Sequence, residues 1–209
     1  MAYPVQLTVE PVLANRNRLT TAFRMILAIP HVILVGGVGI GVASQQNDGQ
    51  SSLVGESGLL GAVAIALAVI SWFTLVFAGT HFPGIRRLTA LYLRWRARAL
   101  AYLMLLQDAY PPFGDGRYPV ELAIVDPEGP RPRLTVFFRV LLVIPHYVAL
   151  FFVFLAWCVT TIVAWFAILF TGAYPASVYQ FGVGALRWRM RVEAYTLLLV
   201  DEYPPFSLT

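Results

Sequence analysis

The sequence predicts an all-α membrane protein built from two tandem repeats, and three observations lead to this fold class. The 209-residue chain is 58% hydrophobic and 12% charged, with a mean hydropathy of +0.70, whereas soluble domains carry about 25% charged residues. The same motifs occur twice in the same order along the chain. Each copy contains long uncharged apolar stretches, which are typical of helices in a bilayer.

The internal repeat is the strongest of these signals. Residues 3–31 align with residues 118–146 at a constant offset of 115. Further along, "SWFTLVFAGTHFP" matches "AWFAILFTGAYP", and "LRWRARALAYLMLLQDAYPPF" matches "LRWRMRVEAYTLLLVDEYPPF", both at an offset of 93. We therefore divide the chain into a first repeat, residues 1–115, and a second repeat, residues 116–209.

Each repeat opens with a short alternating segment. Apolar residues occupy every second position, which is the period of a β-strand; they are Val5, Leu7 and Val9 in the first repeat and Val120, Leu122 and Ile124 in the second. Two outcomes are equally compatible with so few residues. The segments pair with each other as strands, or each forms an extended arm on the protein surface.

The apolar stretch of the first repeat is divided by a hydrophilic loop. Residues 44–58, "SQQNDGQSSLVGESG", are rich in Gly, Ser and Gln, and such a loop is tolerated where the chain turns in water. The loop therefore predicts the tip of a helical hairpin. The expected transmembrane helices are residues 20–43 and 59–80.

The second repeat lacks such a loop, and its apolar stretch allows two interpretations. Its uncharged run from Val140 to Tyr174 measures about 52 Å as a helix, which fits either one tilted helix over residues 146–172 or a tight hairpin. The arginines lie within residues 16–24, 86–98, 117–139 and 187–191. Placing all four clusters in the cytoplasm requires an even number of crossings between them. This favours helices at residues 134–155 and 157–173, a turn near Ala156, and four transmembrane helices with both termini cytoplasmic.

Each repeat closes with a segment that is too charged to span a membrane. Residues 86–108 and 179–201 combine arginines with leucines and aromatic residues at helical spacing, a pattern typical of amphipathic helices in the membrane interface. Arg96 falls on the apolar side of the first helix, so it must snorkel or find an acid, whereas Arg189 has Glu193 four residues on. Both helices are expected to end at the paired prolines of "YPPF".

Two histidines are the first candidate functional residues. His31 and His146, each preceded by a proline (Pro30 and Pro145), are placed deep in predicted membrane helices, where ionisable groups are costly and often functional. If the two rings faced each other, they could ligate haem iron, hold a transition metal or relay protons. The structural interpretation is that the imidazole satisfies polar groups freed by the proline. We favour the structural interpretation and expect no cofactor and no metal site.

Arginine and aspartate form the second candidate group. Arg24 and Arg139 lie seven residues before the histidines and are expected either to contact lipid phosphate or to pair with Asp108 and Asp201, which precede the two "YPPF" motifs. Under the pairing hypothesis, exchanging Arg139 and Asp201 should restore folding lost in either single variant.

The "RWRxR" clusters are the third candidate group, and they comprise Arg94, Arg96, Arg98, Arg187, Arg189 and Arg191. Because tryptophans and tyrosines are interleaved with them, they are interpreted as ion pairs or contacts with anionic lipid headgroups, and no nucleic-acid partner is expected. The sequence contains no phosphate-binding glycine loop, nucleophile elbow or HExxH motif. We therefore expect no catalytic activity.

With "RLTxxFRxLLxIPHxxxL", "AWFAILFTGxYP" and "LRWRxRVxAYxLLLxDEYPPFSL", the second repeat resembles a bacterial membrane family, common in actinobacteria, filed as domain of unknown function 4389. The first repeat resembles it as a more diverged copy, with His81 and Phe82 where the family has a Tyr-Pro turn. The resemblance implies an integral protein of the bacterial inner membrane. It implies no activity, cofactor or catalytic residue.

These observations together predict a non-catalytic, multi-pass protein of the inner membrane. Its partners would be the lipid bilayer, anionic headgroups and a membrane-protein partner or a second copy of the chain, and it would serve as a scaffold or accessory subunit. A small carrier or lipid-binding protein is the first alternative, because duplicated repeats with kinked helices are common in transporters. A redox subunit using the two histidines is the second alternative.

Overall fold

The computed structural model describes residues 3–37, 54–114, 116–127, 129 and 131–209, with the backbone alone at residues 54–57. The first repeat contains β1 (Val5–Val9), α1 (Arg18–Ala22), α2 (Arg24–Val35), α3 (Val54–Phe73) and α4 (Pro83–Leu103). The second repeat contains β2 (Val120–Ile124), α5 (Arg133–Phe137), α6 (Arg139–Thr171) and α7 (Ala176–Thr196). A π-helical turn, Thr74–Ala78, extends α3.

The two alternating segments pair as strands. β1 and β2 form an antiparallel two-stranded sheet in which Leu7 lies opposite Leu122. These two leucines occupy equivalent positions in the repeats, so the pseudo-two-fold axis that relates the repeats passes between them. Val5, Leu7, Val120 and Leu122 are buried on the inner face, and the residues between them point outward, as the strand period requires.

The apolar stretch of the second repeat is one continuous helix. α6 runs for 33 residues from Arg139 to Thr171, so the predicted turn near Ala156, with separate helices at residues 134–155 and 157–173, is wrong. No glycine and no proline follows Pro145 within the helix, and nothing in this apolar sequence favours a turn. Residues spaced three, four or seven apart, from Arg139 through Trp157 to Ile168, form a buried stripe along the whole length.

In the first repeat, the equivalent helix is interrupted. α2 ends at Val35, and α3 turns regular after Gly58, which has a left-handed φ of 70°. A Cβ atom at Gly58 would lie 2.6 Å from the Leu34 carbonyl oxygen, so glycine is required where the two helix ends meet. Most of the loop predicted at residues 44–58 lies outside the described residues.

The far ends of the long helices show that α3 continues the line of α2. The Trp72 indole donates to the Val136 carbonyl in α5 at 3.0 Å, and the equivalent Trp165 indole donates to the Thr21 carbonyl in α1 at 3.0 Å. We call α2 together with α3 the long helix of the first repeat, and α6 the long helix of the second repeat. The end of each long helix therefore lies beside the start of the other, and the two run antiparallel. A hairpin in the first repeat would break this equivalence, so the predicted pairing of residues 20–43 and 59–80 as a hairpin is also wrong.

The helices predicted to lie in the membrane interface are the centre of the protein. α4 is buried from Arg96 to Tyr102 without a break, and most of α7 between Gly182 and Tyr195 is buried as well. The predicted interfacial helices at residues 86–108 and 179–201 are therefore core helices. The strands pack on α4 and α7, and the long helices pack on the same two helices. Among the described residues the strands do not pack on α2, α3 or α6, so the core helices separate the sheet from the long helices.

Two helical segments are long and apolar enough to cross a membrane by length and composition. They are Gly58–Ala78, with 21 residues, and Arg139–Thr171, with 33 residues. Only 22% and 17% of their most apolar windows are buried inside the protein, which distinguishes them from the core helices of a soluble domain. The sequence predicted four transmembrane helices. The described residues contain two segments of sufficient length and the shorter apolar helix α2.

Candidate functional site

Each repeat contains a buried arginine that pairs with the aspartate before "YPPF". Arg24 Nη2 lies 2.8 Å from Asp108 Oδ1, and Arg139 Nη2 lies 2.9 Å from Asp201 Oδ1. The two guanidinium groups also lie over tyrosine rings, 4.1 Å from the centroid of Tyr102 for Arg24 and 4.3 Å in the second repeat. The structure thus brings together both pairs that the sequence suggested.

The same arginines close the C-terminal ends of the core helices. Arg24 donates to the carbonyls of Gln107, at 2.6 Å, and Tyr102, at 3.4 Å. Arg139 donates to the equivalent carbonyls of Val200, at 3.0 Å, and Tyr195, at 3.2 Å. Tyr102 and Tyr195 lie in the last turns of α4 and α7, and Gln107 and Val200 lie just beyond those helices. Carbonyls at the C-terminal end of a helix carry partial negative charge, so a buried cation stabilises them.

A second arginine in each cluster was missed by the sequence reasoning. Arg16 Nη2 lies 2.8 Å from Asp108 Oδ1, and in the second repeat Arg131 Nε pairs with Asp201 Oδ2. Arg16 also donates to the carbonyl of Leu105. Burial lowers the pKa of Arg16 and of Arg131 from the ordinary value, and the neighbouring aspartate opposes this effect. The repeat alignment places Arg16 opposite Arg131, and this correspondence is the signal that could have identified them.

Each histidine lies in an aromatic cage within its own repeat. The His31 ring stacks on Phe113 at 4.6 Å between centroids and contacts Tyr110 at 4.9 Å. His31 Nδ1 accepts a hydrogen bond of 3.0 Å from the Trp95 indole. His31 is 1% exposed, so the "YPPF" segment covers it almost completely.

The cage of the second repeat has the same geometry. His146 stacks on Phe206 at 3.8 Å and contacts Tyr203 at 4.8 Å, and its Nδ1 accepts a hydrogen bond of 3.2 Å from the Trp188 indole. Pro145, like Pro30, lies within the helix and immediately precedes the caged ring. The cage is therefore the point where the "IPH" and "YPPF" motifs of one repeat meet, a contact that the sequence reasoning missed although both motifs recur.

The cages bear on the cofactor hypothesis. One ring nitrogen of each histidine is engaged by a tryptophan, and no ring contact joins His31 to His146 in the part of the chain that the structure describes. The described residues also contain no group of three His, Cys, Asp or Glu side chains that could hold a metal ion. The geometry gives each histidine a packing role within its own repeat.

The "RWRxR" arginines divide into buried and partly buried members. Arg96, Arg98 and Arg189 are at most 9% exposed, and Arg96 and Arg189 form ion pairs, one of the two roles that their sequence pattern suggested. The partly buried members donate to the end of the chain, Arg187 to the Leu208 carbonyl and Arg191 to the Thr209 carbonyl. Arg94 is half-buried.

One glutamate serves two arginines at the centre of the molecule. Glu193 Oε2 lies 2.9 Å from Arg96 Nε, and Glu193 Oε1 lies 2.7 Å from Arg189 Nε. Burial alone would raise the pKa of Glu193, but the two guanidinium groups outweigh it and lower that pKa. Arg96 also donates to the carbonyl of Val35, at the interrupted end of α2. The acid that Arg96 needed is thus supplied by the other repeat.

His81 is the third histidine, and it lies between α3 and α4. Burial, together with Arg131 and Arg86, lowers the pKa of His81 to about 4. The unfolded chain, with an ordinary pKa near 6.5, therefore binds the proton more readily than the folded protein does. Stability is expected to fall as the pH decreases from about 6.5 to about 4.

The variant His81→Tyr tests this pH dependence. Tyrosine stands at the equivalent position of the second repeat, Tyr174, so the substitution suits the fold. We expect the thermal midpoint of His81→Tyr to depend less on pH between 7 and 4 than that of the parent protein. If the thermal midpoints of the variant and the parent protein changed equally with pH, His81 would not contribute to the pH dependence of stability.

The cage of the second repeat can be tested by His146→Phe. Phenylalanine keeps a ring of similar shape but removes the acceptor for the buried Trp188 indole, which costs about 1–3 kcal/mol. We expect thermal unfolding in detergent, followed by tryptophan fluorescence, to show a lower midpoint. The matched variant His31→Phe should lose a similar amount, and an unchanged midpoint in both would contradict the packing role.

The fold and these clusters define a class: a mostly helical, internally duplicated protein with two helices long and apolar enough to span a membrane. The chain belongs to the family described as Domain of unknown function (DUF4389), whose model matches residues 57–114 and 133–207. One matched segment falls in each repeat, as a tandem duplicate requires. No curated protein and no solved structure matches the chain.

Proposed function

We propose that the protein is a non-catalytic membrane protein that acts as a scaffold or accessory subunit of an assembly in the bacterial inner membrane. One observation carries this proposal: the buried charged groups are engaged by partners inside the protein, while the long helices expose apolar side chains. Asp108, Asp201 and Glu193 each bind two arginines. These buried ion pairs stabilise the fold. The outer surface, which is mainly apolar on the long helices, is then available for contacts with lipid and with a partner protein.

The exposed surface of α6 supports the membrane environment. Leu141, Phe152, Ile162 and Phe170 are between 58% and 77% exposed, and no charged residue occurs between Arg139 and Thr171. An exposed apolar surface of this length is unfavourable in water. The arginine-rich side would face the cytoplasm, as would both termini.

Extraction of the native protein tests the proposal. Membranes from cells that express the tagged chain would be washed with carbonate and dissolved in a mild detergent, and the proteins and lipids that co-purify would be identified by mass spectrometry. We expect the chain to stay in the washed membranes and to carry a protein partner in a fixed ratio. A chain released by carbonate, or one purified without any partner, would contradict the proposal.

A lipid-binding function is the second candidate, because a groove lies between the repeats. The groove has a volume of about 410 Å³, and its walls come from α3, the start of α6 and the end of α7. Its lining is apolar apart from a few polar groups; it comprises Ile65, Ala68, Val69, Trp72, Phe73, Arg139, Val140, Val143, Thr196, Leu197 and Leu198. Such a groove could hold an acyl chain.

The groove can be tested with a filling variant. Ala68→Phe places a ring in the groove and should lower the amount of lipid that remains bound after delipidation. The control is Val148→Phe, because Val148 is 56% exposed and lies outside the groove. Equal lipid content in both variants would exclude the groove as a lipid site.

A further inference from the structure

Most of the exposed large apolar side chains of the described residues belong to the long helices. On α6 they include Phe152, Val159 and Phe166, and in the first repeat they include Met25 on α2, Val63 on α3 and Phe77 on the π-helical turn that extends α3. Both long helices pack on the core helices through one narrow stripe, so most of their circumference is exposed. Together they form a continuous apolar face, which we call the long-helix face.

The opposite side of the molecule is polar. The outer face of the sheet presents Gln6, Thr8 and Glu121, all exposed. With two strands, both edges of the sheet carry backbone groups that no other strand of the described chain pairs. Such groups need water, because open sheet edges do not occur in hydrocarbon.

The position of the sheet decides how the protein can lie in a membrane. The pseudo-two-fold axis passes through the sheet between Leu7 and Leu122 and exchanges the two ends of the long helices. The sheet therefore lies midway between those ends. If the long helices crossed the bilayer, the open sheet would be held at mid-depth.

The arginines give a second argument. Arg16, Arg18 and Arg24 lie near the end of α6, where the Arg18 guanidinium is 3.4 Å from a Cβ placed on Gly172. Their equivalents Arg131, Arg133 and Arg139 lie at the other end, and Arg133 approaches Gly79 in the same way. Crossing helices would place these two equal groups of arginines on opposite sides of the membrane, against the positive-inside rule.

Helix length gives a third argument. The 33 residues of α6 extend for about 50 Å at roughly 1.5 Å per residue. To fit a hydrocarbon core of about 30 Å, α6 would have to tilt by more than about 50° from the normal, whereas helices in membranes tilt by about 0–40°.

We infer that the protein is monotopic: its pseudo-two-fold axis lies along the membrane normal, and both long helices lie in the membrane plane within one leaflet. The partner of the long-helix face is the hydrocarbon of that leaflet, and the sheet faces the cytoplasm. Tyr110, Phe113, Tyr203 and Phe206, each at least 44% exposed, then lie near the headgroups, as aromatic residues at membrane interfaces do. This inference rests on the proposed membrane function and adds its geometry.

Cysteine labelling tests the orientation. The single cysteine, Cys158, would be replaced by alanine, and one cysteine would be introduced per variant at Thr135 or at Thr171. Both threonines are exposed; Thr135 lies in α5, just before α6 begins, and Thr171 is the last residue of α6. A membrane-impermeant maleimide would be applied to sealed vesicles of both orientations.

We expect Thr135→Cys and Thr171→Cys to react at least tenfold faster in inside-out vesicles than in right-side-out vesicles. A third variant on the sheet, Gln6→Cys, should react from the same side. Labelling of the two threonine positions from opposite sides would show a crossing helix and overturn the inference, while the proposed membrane function would stand. A soluble dimer, with two long-helix faces packed together, would overturn both.

Discussion

Replacing Arg139 by methionine is expected to lower the stability of the protein by about 3–5 kcal/mol, the cost of removing one partner of a buried ion pair. Arg139 is 2% exposed and binds Asp201 and two carbonyls at the end of α7. Methionine fills part of the space but leaves these carbonyls without their donor. Folded proteins are stable by only about 5–15 kcal/mol. We therefore expect most molecules of the variant to fail to fold, or the folded ones to unfold at a much lower temperature.

Thermal unfolding in detergent would measure this effect. Arg87→Met is the control, because Arg87 is an exposed arginine near the start of α4, and its midpoint should match that of the parent protein. Arg139→Lys should be intermediate, since lysine keeps the charge but cannot bind the carboxylate and both carbonyls with one planar group. Equal midpoints for Arg139→Met and Arg87→Met would contradict the buried network.

The structure also predicts the outcome of exchanging Arg139 and Asp201. The sequence alone suggested that the exchange should restore folding. In the structure, a carboxylate at residue 139 would face the carbonyls of Tyr195 and Val200, and two acceptors repel each other. We therefore expect the double exchange to remain as unstable as the single variants, and restored folding would show that the pair acts through charge alone.

Replacing Glu193 by leucine is the second change with a large expected effect. Leucine occupies the equivalent position of the first repeat, Leu100, yet here it would remove the carboxylate that Arg96 and Arg189 share. Two buried guanidinium groups would then face each other across an apolar side chain. We expect a loss of about 3–5 kcal/mol, measured as a lower midpoint of thermal unfolding.

A combined variant makes this prediction specific. Replacing a whole buried ionic group by apolar residues is often neutral, so Arg96→Met and Arg189→Met added to Glu193→Leu should recover part of the lost stability. Glu193→Gln should have a smaller effect than Glu193→Leu, because it keeps hydrogen-bond acceptance. If Glu193→Leu alone is as stable as the parent, the shared carboxylate does not hold the repeats together.

The pairs of Arg24 with Asp108 and of Arg139 with Asp201 could be suggested from sequence because each pair recurs in both repeats. When two residue types recur together at matched positions of both repeats, they are candidates for a contact. This holds even though the arginine and the aspartate of one pair are 84 or 62 residues apart in the sequence. The cages of His31 and His146 could not be suggested in the same way. Their partners in "YPPF" were read as helix terminators, and nothing in the sequence pattern shows which surface a loop covers.

The prediction of a hairpin near Ala156 was wrong for a different reason. It was inferred by requiring all arginine clusters to lie on one side of the membrane with an even number of crossings. That requirement is also met without any crossing, when the long helices lie flat beneath an arginine-rich core. Similarly, arginines and leucines at helical spacing suit a helix at a membrane interface, but they suit α4 equally well once Glu193 and backbone carbonyls satisfy the buried guanidinium groups.

The sequence by itself determined the duplication, the largely helical class, the two short alternating segments and the uncharged character of the long apolar stretches, whereas the pairing of those segments as strands came from the structure. These properties follow from local composition and from the comparison of one half of the chain with the other. Only the tertiary structure decided that α6 is unbroken, that α4 and α7 form the core, and that the histidines are covered by "YPPF". Those outcomes depend on which faces of distant segments bury each other, and the free energy of that packing is a property of the assembled chain.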